Sequence, residues 1–357
     1  MGAEPGPPEA WRRCALDPPR AFGATPVSGA LRVEPADFVV DERLGFEPDG
    51  GDAHRLLRVE KVGANTLFVA RALAVRAGRP SAEVGFAGQK DRRAVARQWF
   101  SVPATRATAS FVGYTGDGFR VLSEHAHSRK LRRGALAGNR FSIRVRGLQG
   151  DAGAIAERLA RLAASGIPNY FGSQRFGREG ANLRRVYQWL DTGRLPRGRE
   201  QRAFQLSAAR SLLFNGVLGA RVAAGTWNRL LPGEVINLAG SRTVFAAERP
   251  DEALHRRLRD GDLSPTGPLC GAGGVLPGGE AGRVESEALA GFMPLPALLG
   301  AVGMRGERRA LIVRPTAVAH RLEGDALTLE FELPRGAFAT SVLRELLDVR
   351  VPEADDD

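Results

Sequence analysis

The chain has 357 residues, 43% hydrophobic and 25% charged, which is the composition of a globular protein long enough for two domains and sets it apart from disordered or fibrous sequences. Its 51 Lys+Arg against 40 Asp+Glu give a net charge of +11 and a pI near 10.8, a balance that points to a polyanionic partner. No window approaches the roughly 18 consecutive apolar residues of a spanning helix, the first residues lack a secretory h-region, and two cysteines without CxxC spacing, Cys14 and Cys270, support neither a disulfide framework nor a zinc knuckle, so a cytoplasmic setting is expected.

Lysine stands only at Lys61, Lys90 and Lys130, so nearly all of the positive charge is arginine, whose planar fork grips phosphate and stacks on bases. A GC-rich genome accounts for that ratio equally well, though not for the net excess.

Residues 1–29 begin with a Pro/Gly-rich stretch that reads as a poorly ordered lead-in. Period-two alternation predicts strands over 31–40 and 54–59, with the Gly/Asp-rich 48–52 as the turn between them. Asn65 precedes a helix over 66–77 with a stop at 78–80, and a short strand over 83–87 leads into Gly88-Gln89-Lys90-Asp91. Phe141, Ile143 and Val145 alternate with Ser142, Arg144 and Arg146, a half-buried strand with a basic outer face. Asp151 caps a helix running to about 164. Further helices are predicted over 206–223 and 338–347, the latter after a strand carrying Leu327, Leu329, Phe331 and Leu333.

The Gly/Pro-rich segment 264–282 reads as loop. Its GAGGVLPGG run has no preceding strand, no helix opening from it and no G-K-[ST], which argues against a phosphate-binding turn. His125 and His127 face one side of a strand, but without a third ligand they read as a surface or RNA-facing pair rather than a metal site.

The densest chemistry lies in Ala87-Gly88-Gln89-Lys90-Asp91-Arg92-Arg93, where one carboxylate follows a small-residue turn between cations that favour its ionised form. Spacing alone does not separate this from an aspartate that pairs with surrounding arginines. The run AGQKDRRAVARQWF, however, resembles the signature of the TruD family of pseudouridine synthases. A second twelve-residue block, Gly166-Ile167-Pro168-Asn169-Tyr170-Phe171-Gly172-Ser173-Gln174-Arg175-Phe176-Gly177, is similar to that family too, as are ADFVVDERLGFEPDG, KLRRGALAGNRFSIRVR, LSAARSLLFN and GAFATSVLREL, in the same order.

The resemblance implies an α/β (α+β) fold: a catalytic domain on a mostly antiparallel sheet, with an inserted α/β TRUD domain and an RNA-binding cleft between them. The expected division is 30–165 and 314–349 for the catalytic domain and 166–313 for the insertion, with an acidic tail at 350–357. The implied activity is isomerisation of a uridine in tRNA, position 13 of the D arm, to pseudouridine. Asp91 is implied as the catalytic carboxylate and nucleophile. Phe38, Asn139 and Phe338 match positions that contact the target nucleotide, and Phe141 lies two residues beyond Asn139 on the same strand face.

Arg32 and Lys90 are the candidates to hold the carboxylate. Arg129, Lys130, Arg132 and Arg133, with Arg175 and Arg178 from the insertion, are candidates for the RNA backbone. Substrate and product are isomers, so no cofactor or metal is expected. The expected partner is tRNA, with no membrane and no obligate protein partner. A non-catalytic RNA-binding protein with a degenerate cleft would carry a substituted aspartate, and a methyltransferase would need a cofactor loop after a strand; Asp91 is intact and no such loop is found.

Overall fold

The computed structural model describes residues 6–104 and 110–352, and the acidic tail lies outside them from residue 353 on. The chain divides into two compact units, one of Pro26–Ile155, Pro315–Gly336 and Leu347–Asp357, the other of Met1–Thr25, Ala156–Arg314 and Ala337–Leu346. No helix among the described residues is long and apolar enough to cross a membrane.

The first unit is built on an 11-stranded sheet whose main path runs Thr316–Glu323, Ala326–Pro334, Leu136–Gly150, Phe38–Leu44, Val95–Pro103, His54–Lys61, Phe119–His127 and Thr115–Gly116. Its pairings are antiparallel except those of Phe38–Leu44 with Val95–Pro103 and of Val27–Leu31 with Asp348–Arg350. Along Leu136–Gly150 the expected alternation holds: Phe141, Ile143 and Val145 are buried, while Arg140 pairs with Glu330 and Arg146 with Glu34 and Asp37 on the other face.

Helix Thr66–Ala77 begins where the Asn65 side chain accepts from Phe68 N at 2.8 Å and stops at Gly78 in the left-handed region. It buries Val69, Ala70, Leu73 and Ala74 against Leu57, Val59, Phe100 and Val102 of the sheet.

Two strand expectations are corrected here. The strand read over 31–40 is two, Val27–Leu31 and Phe38–Leu44, separated by a 3-10 turn at Pro35–Asp37. Glu34 and Asp37 close that turn with reciprocal side-chain bonds, and Asp37 is held by Arg146 at 2.8 Å, so local side-chain bonding outcompetes the ladder. The strands on either side of 48–52 do not pair with each other, because Val95–Pro103 enters between them. The parallel partner reaches that slot only after the Thr66–Ala77 crossover, which local alternation does not encode.

In the second unit a 4-stranded sheet runs Val244–Ala247, Glu234–Leu238, Leu263–Leu269, Glu307–Ala310. The long helix Arg199–Ala223 packs its Leu206, Ala209, Leu212 and Leu213 into a core with Phe176, Leu183, Trp189, Leu295 and Leu299. Trp11 belongs to the same core: the segment read as lead-in contains a helix, Glu9–Leu16, whose apolar side covers the larger unit's core. The segment read as loop also differs. Leu263–Leu269 is a buried strand despite Pro265 and Pro268, and a helix starts at Gly279. The prolines remove two ladder donors, while Thr266 and Gly267 pair with Ala310 and Arg309 across the neighbouring strand.

Asn215, fully buried in the long helix, ties this unit together. Its Oδ1 accepts from Phe171 N at 2.9 Å, and its Nδ2 donates to Phe171 O at 3.0 Å and to Cys14 O at 3.1 Å. Asn215→Ala would orphan these buried backbone groups, and an equilibrium urea titration should show a loss of about 2–4 kcal/mol.

Candidate active site

The segment between strand Gly85–Phe86 and strand Val95–Pro103 lies outside any ladder, so its backbone groups take partners from side chains. Gln98 Nε2 donates to Gly88 O at 2.8 Å, Thr66 Oγ1 donates to Gln98 Oε1 at 2.9 Å, and Lys90 N donates to Thr66 Oγ1 at 3.1 Å. From the end of strand His54–Lys61, Lys61 Nζ donates to Ala64 O at 2.9 Å, Asp91 O at 2.8 Å and Lys90 O at 3.3 Å. Arg92 and Gly63 exchange two further bonds, Nε to Gly63 O at 2.6 Å and Gly63 N to Arg92 O at 3.2 Å. Thr66, Gln98 and Lys61 are all buried.

This scaffold presents the Asp91 side chain. Its Oδ2 lies 2.7 Å from Arg32 Nη1, and its Oδ1 accepts from Arg93 N at 3.1 Å. The aspartate side chain is 40% exposed and the arginine 19%, so the pair is held from below and reachable from solvent. Arg32 has φ 62°, a left-handed backbone that costs a non-glycine residue on the order of 1 kcal/mol, and its guanidinium lies 4.3 Å from the centroid of the Phe38 ring. The bend at Arg32, immediately after strand Val27–Leu31, is what turns its side chain out of the strand.

Of the two candidates to hold the carboxylate, Arg32 therefore contacts Asp91, whereas the Lys90 side chain pairs with Glu42 at 2.6 Å. Burial pushes the Glu42 carboxyl up from its ordinary value, and the Lys90 ammonium opposes that rise.

Glu42 lies directly opposite Asn139 in the ladder, as Val40 does Phe141 and Phe38 does Ile143, so Phe38, Asn139 and Phe141 share one sheet face. Phe38 and Phe141 meet edge to face at 6.0 Å, with 5% and 7% exposure. Both rings are part of the packed face rather than free-standing stacking surfaces. Asn139 Oδ1 and Arg32 Nε are buried and have no hydrogen-bond partner among the described residues. A buried orphan of this kind costs about 1–3 kcal/mol, which a ligand's donor or acceptor would offset.

Arg129, Lys130, Arg132 and Arg133 are exposed. Lys130 Nζ donates to Ala82 O at 2.6 Å, in the 3-10 turn Ser81–Glu83, and Arg133 lies 4.2 Å over the Phe86 ring of the strand that follows, which fixes the segment against both. The reading of His125 and His127 as a surface pair is corrected for His127. Its ring is buried, stacks on Phe46 at 5.0 Å and pairs with Asp49 at 3.0 Å, so it braces the 48–52 segment.

Phe338, Arg175 and Arg178 belong to the second unit. There Phe338 meets the Phe171 ring at 5.9 Å, and the Arg175 guanidinium lies 5.5 Å from Phe171 and 5.9 Å from Phe338. Arg309, bonded to Asn169 Oδ1 at 2.7 Å, stacks on Phe171 at 4.1 Å, and burial pushes its guanidinium down to about 9. Arg178 is exposed.

Sequence reasoning missed Lys61, Thr66, Gln98 and Glu42. The signal available for Lys61 was its identity as one of three lysines in a chain that otherwise uses arginine.

A family model described as tRNA pseudouridine synthase D (TruD) matches residues 20–197 and 198–346. The chain is 45% identical over 348 residues to the tRNA pseudouridine synthase D of Xanthomonas euvesicatoria pv. vesicatoria, covering 93% of this chain and 94% of the relative. It is 43% identical over 334 residues to that of Methylococcus capsulatus, with the same coverage. In fold it is similar to a solved TruD structure from Methanosarcina mazei, with TM-score 0.71 at 22% identity, covering 95% of this chain and 98% of the other.

The side-chain chain from Gln98 through Thr66 to Lys90 N gives a direct test of what shapes the loop. Thr66→Val keeps the shape but removes the hydroxyl, and hydrogen exchange should show faster exchange at the Lys90 amide together with a loss of about 1–3 kcal/mol in stability.

Proposed function

The chain belongs to the tRNA pseudouridine synthase D (TruD) family, and from that premise we propose that it isomerises a uridine of tRNA, at position 13 of the D arm, with Asp91 as the catalytic carboxylate. The observation that carries the assignment to Asp91 is its ion pair with Arg32 at 2.7 Å, on a side chain that remains 40% exposed at the end of a braced loop.

Pseudouridine formation breaks the bond from ribose C1′ to uracil N1 and joins C1′ to C5. The proton lost from C5 is balanced by one gained at N1, so the reaction consumes no donor and changes no oxidation state. Attack on the sugar, attack on the base and proton abstraction all begin from an ionised carboxylate at the ribose–base junction. Arg32 fixes one oxygen of the Asp91 carboxylate and the Arg93 amide fixes the other.

The target uridine must leave its stack before the carboxylate can reach it. Asn139, with its buried and unpartnered carbonyl oxygen, is suited to accept from the imide N–H of the uracil edge. Phe38 and Phe141 form the apolar side of that site in the first unit, and Phe338, which the family resemblance also assigns to the target nucleotide, packs on Phe171 within the second unit. Arg129, Lys130, Arg132 and Arg133 are assigned to phosphate contact by their exposure and density, and Arg175 and Arg178 to RNA contact from the second unit.

The assay is chemical labelling of pseudouridine on unmodified tRNA without added cofactor. Wild-type protein should yield product at a single D-arm uridine, and Asp91→Asn none, with RNA affinity nearly unchanged. Turnover by Asp91→Asn would remove Asp91 from its role; no product from either protein, with tight RNA binding, would favour the non-catalytic RNA-binding reading. Arg132→Ala with Arg133→Ala should weaken RNA binding and reduce its salt slope by about 1–2 if both side chains meet phosphates. An unchanged slope in a filter-binding titration would count against that contact.

A further inference from the structure

We propose that Lys61 is a positioning residue for catalysis: its ammonium fixes the Lys90 and Asp91 carbonyls against the Ala64 carbonyl, and so sets the backbone from which the Asp91 carboxylate is presented to Arg32 and to the RNA. This rests on the reading of Asp91 above.

An ammonium has three N–H donors and no acceptor, and here it meets three carbonyl oxygens, of Ala64 at 2.9 Å, Asp91 at 2.8 Å and Lys90 at 3.3 Å. The side chain is 1% exposed, so water does not substitute for any of the three. The acceptors lie on two segments, one following Lys61 itself and one carrying Asp91, so a single cation staples the loop to the end of its own strand. Arginine would not serve: its planar fork is too wide for three converging carbonyls at one point. In a chain whose positive charge is otherwise almost all arginine, a lysine at this position follows from that geometry.

The charged groups facing Lys61 are all on the loop it holds. Asp91 raises its proton affinity and Lys90 lowers it, with Arg92 bonded to Gly63 alongside and Arg32 reaching it only through Asp91. On its own and the flanking strands Glu60 pairs with both Arg97 and Arg120, and in the ladder Lys61 itself stands opposite the apolar Ala96 and Phe119. Burial is the largest influence and pushes the Lys61 ammonium down to about 8. Loss of the proton leaves two donors for three carbonyls and points a lone pair at the third. The staple therefore holds below about pH 8 and loosens above it.

Three measurements test this. With only three lysines, selective 13C labelling resolves Lys61, and its titration midpoint should fall near 8 in wild type and lower in Asp91→Asn, which removes the charge that raises it. Backbone signals of Asp91 and Arg92 should move with the same midpoint. In the labelling assay, Lys61→Met should lower kcat on the order of 10²-fold, as expected for a misplaced catalytic group, with KM for tRNA within about 2-fold. Wild-type kcat should decline above about pH 8, and that decline should be absent from the variant's profile. Unchanged kcat in a folded Lys61→Met protein would overturn the proposal. So would loop signals in wild type that ignore the Lys61 titration, a result that stands whether or not the variant folds. Turnover by Asp91→Asn would instead overturn the assignment of Asp91.

Discussion

The segment from Gly88 to Arg92 leaves the sheet and so has no ladder to satisfy its peptide groups; its conformation is set by the buried side chains beneath it. Lys61 contributes most, with three carbonyls on one ammonium, and Thr66 and Gln98 close the remaining side. Each of these three comes from a different element: the end of strand His54–Lys61, the first turn of helix Thr66–Ala77 and the middle of strand Val95–Pro103. The order His54–Lys61, helix, loop, Val95–Pro103 is thus a single device. The helix is the crossover that allows Val95–Pro103 to enter parallel to Phe38–Leu44, and the loop that re-enters the sheet is the one bearing Asp91.

A second constraint meets the first at the carboxylate. Arg32 holds a left-handed backbone directly after strand Val27–Leu31, and the compensation is an ion pair with Asp91 and a stacking contact with Phe38. Phe38 in turn packs on Phe141, and Phe141 on Phe331, so the geometry of the exposed pair is referred back to the centre of the sheet. The left-handed Arg32 backbone, the buried Lys61 and Glu42 and the unpartnered Asn139 Oδ1 all belong to the first unit.

Much of this was legible in the sequence. The Phe141 strand, helix Thr66–Ala77 and the Asp91 motif are local patterns, and the family resemblance supplied Arg32 as a candidate before any geometry. What was not legible depended on contacts distant in sequence. Lys90 was offered as a partner for its neighbour Asp91, yet Glu42, far back in the chain, takes its ammonium. Strand Leu263–Leu269 was hidden by its two prolines, because whether a proline breaks a strand depends on which ladder bonds its neighbours make. Lys61 gave no periodic signal at all; only its rarity as a lysine marked it, and the meaning of that rarity required the three carbonyls to be seen together.

Arg32 and the Arg93 amide give the Asp91 carboxylate a defined position, and the role proposed for it depends on that position as well as on its charge. Asp91→Glu retains the charge and adds one methylene, which displaces the carboxylate from the Arg32 and Arg93 contacts by about the length of a bond. Single-turnover rates of wild type and Asp91→Glu on the same unmodified tRNA, at saturating protein, measure this directly. The rate should fall on the order of 10²-fold or more with RNA affinity preserved; a glutamate variant that turns over at the wild-type rate would contradict a positional role for the Arg32 and Arg93 contacts.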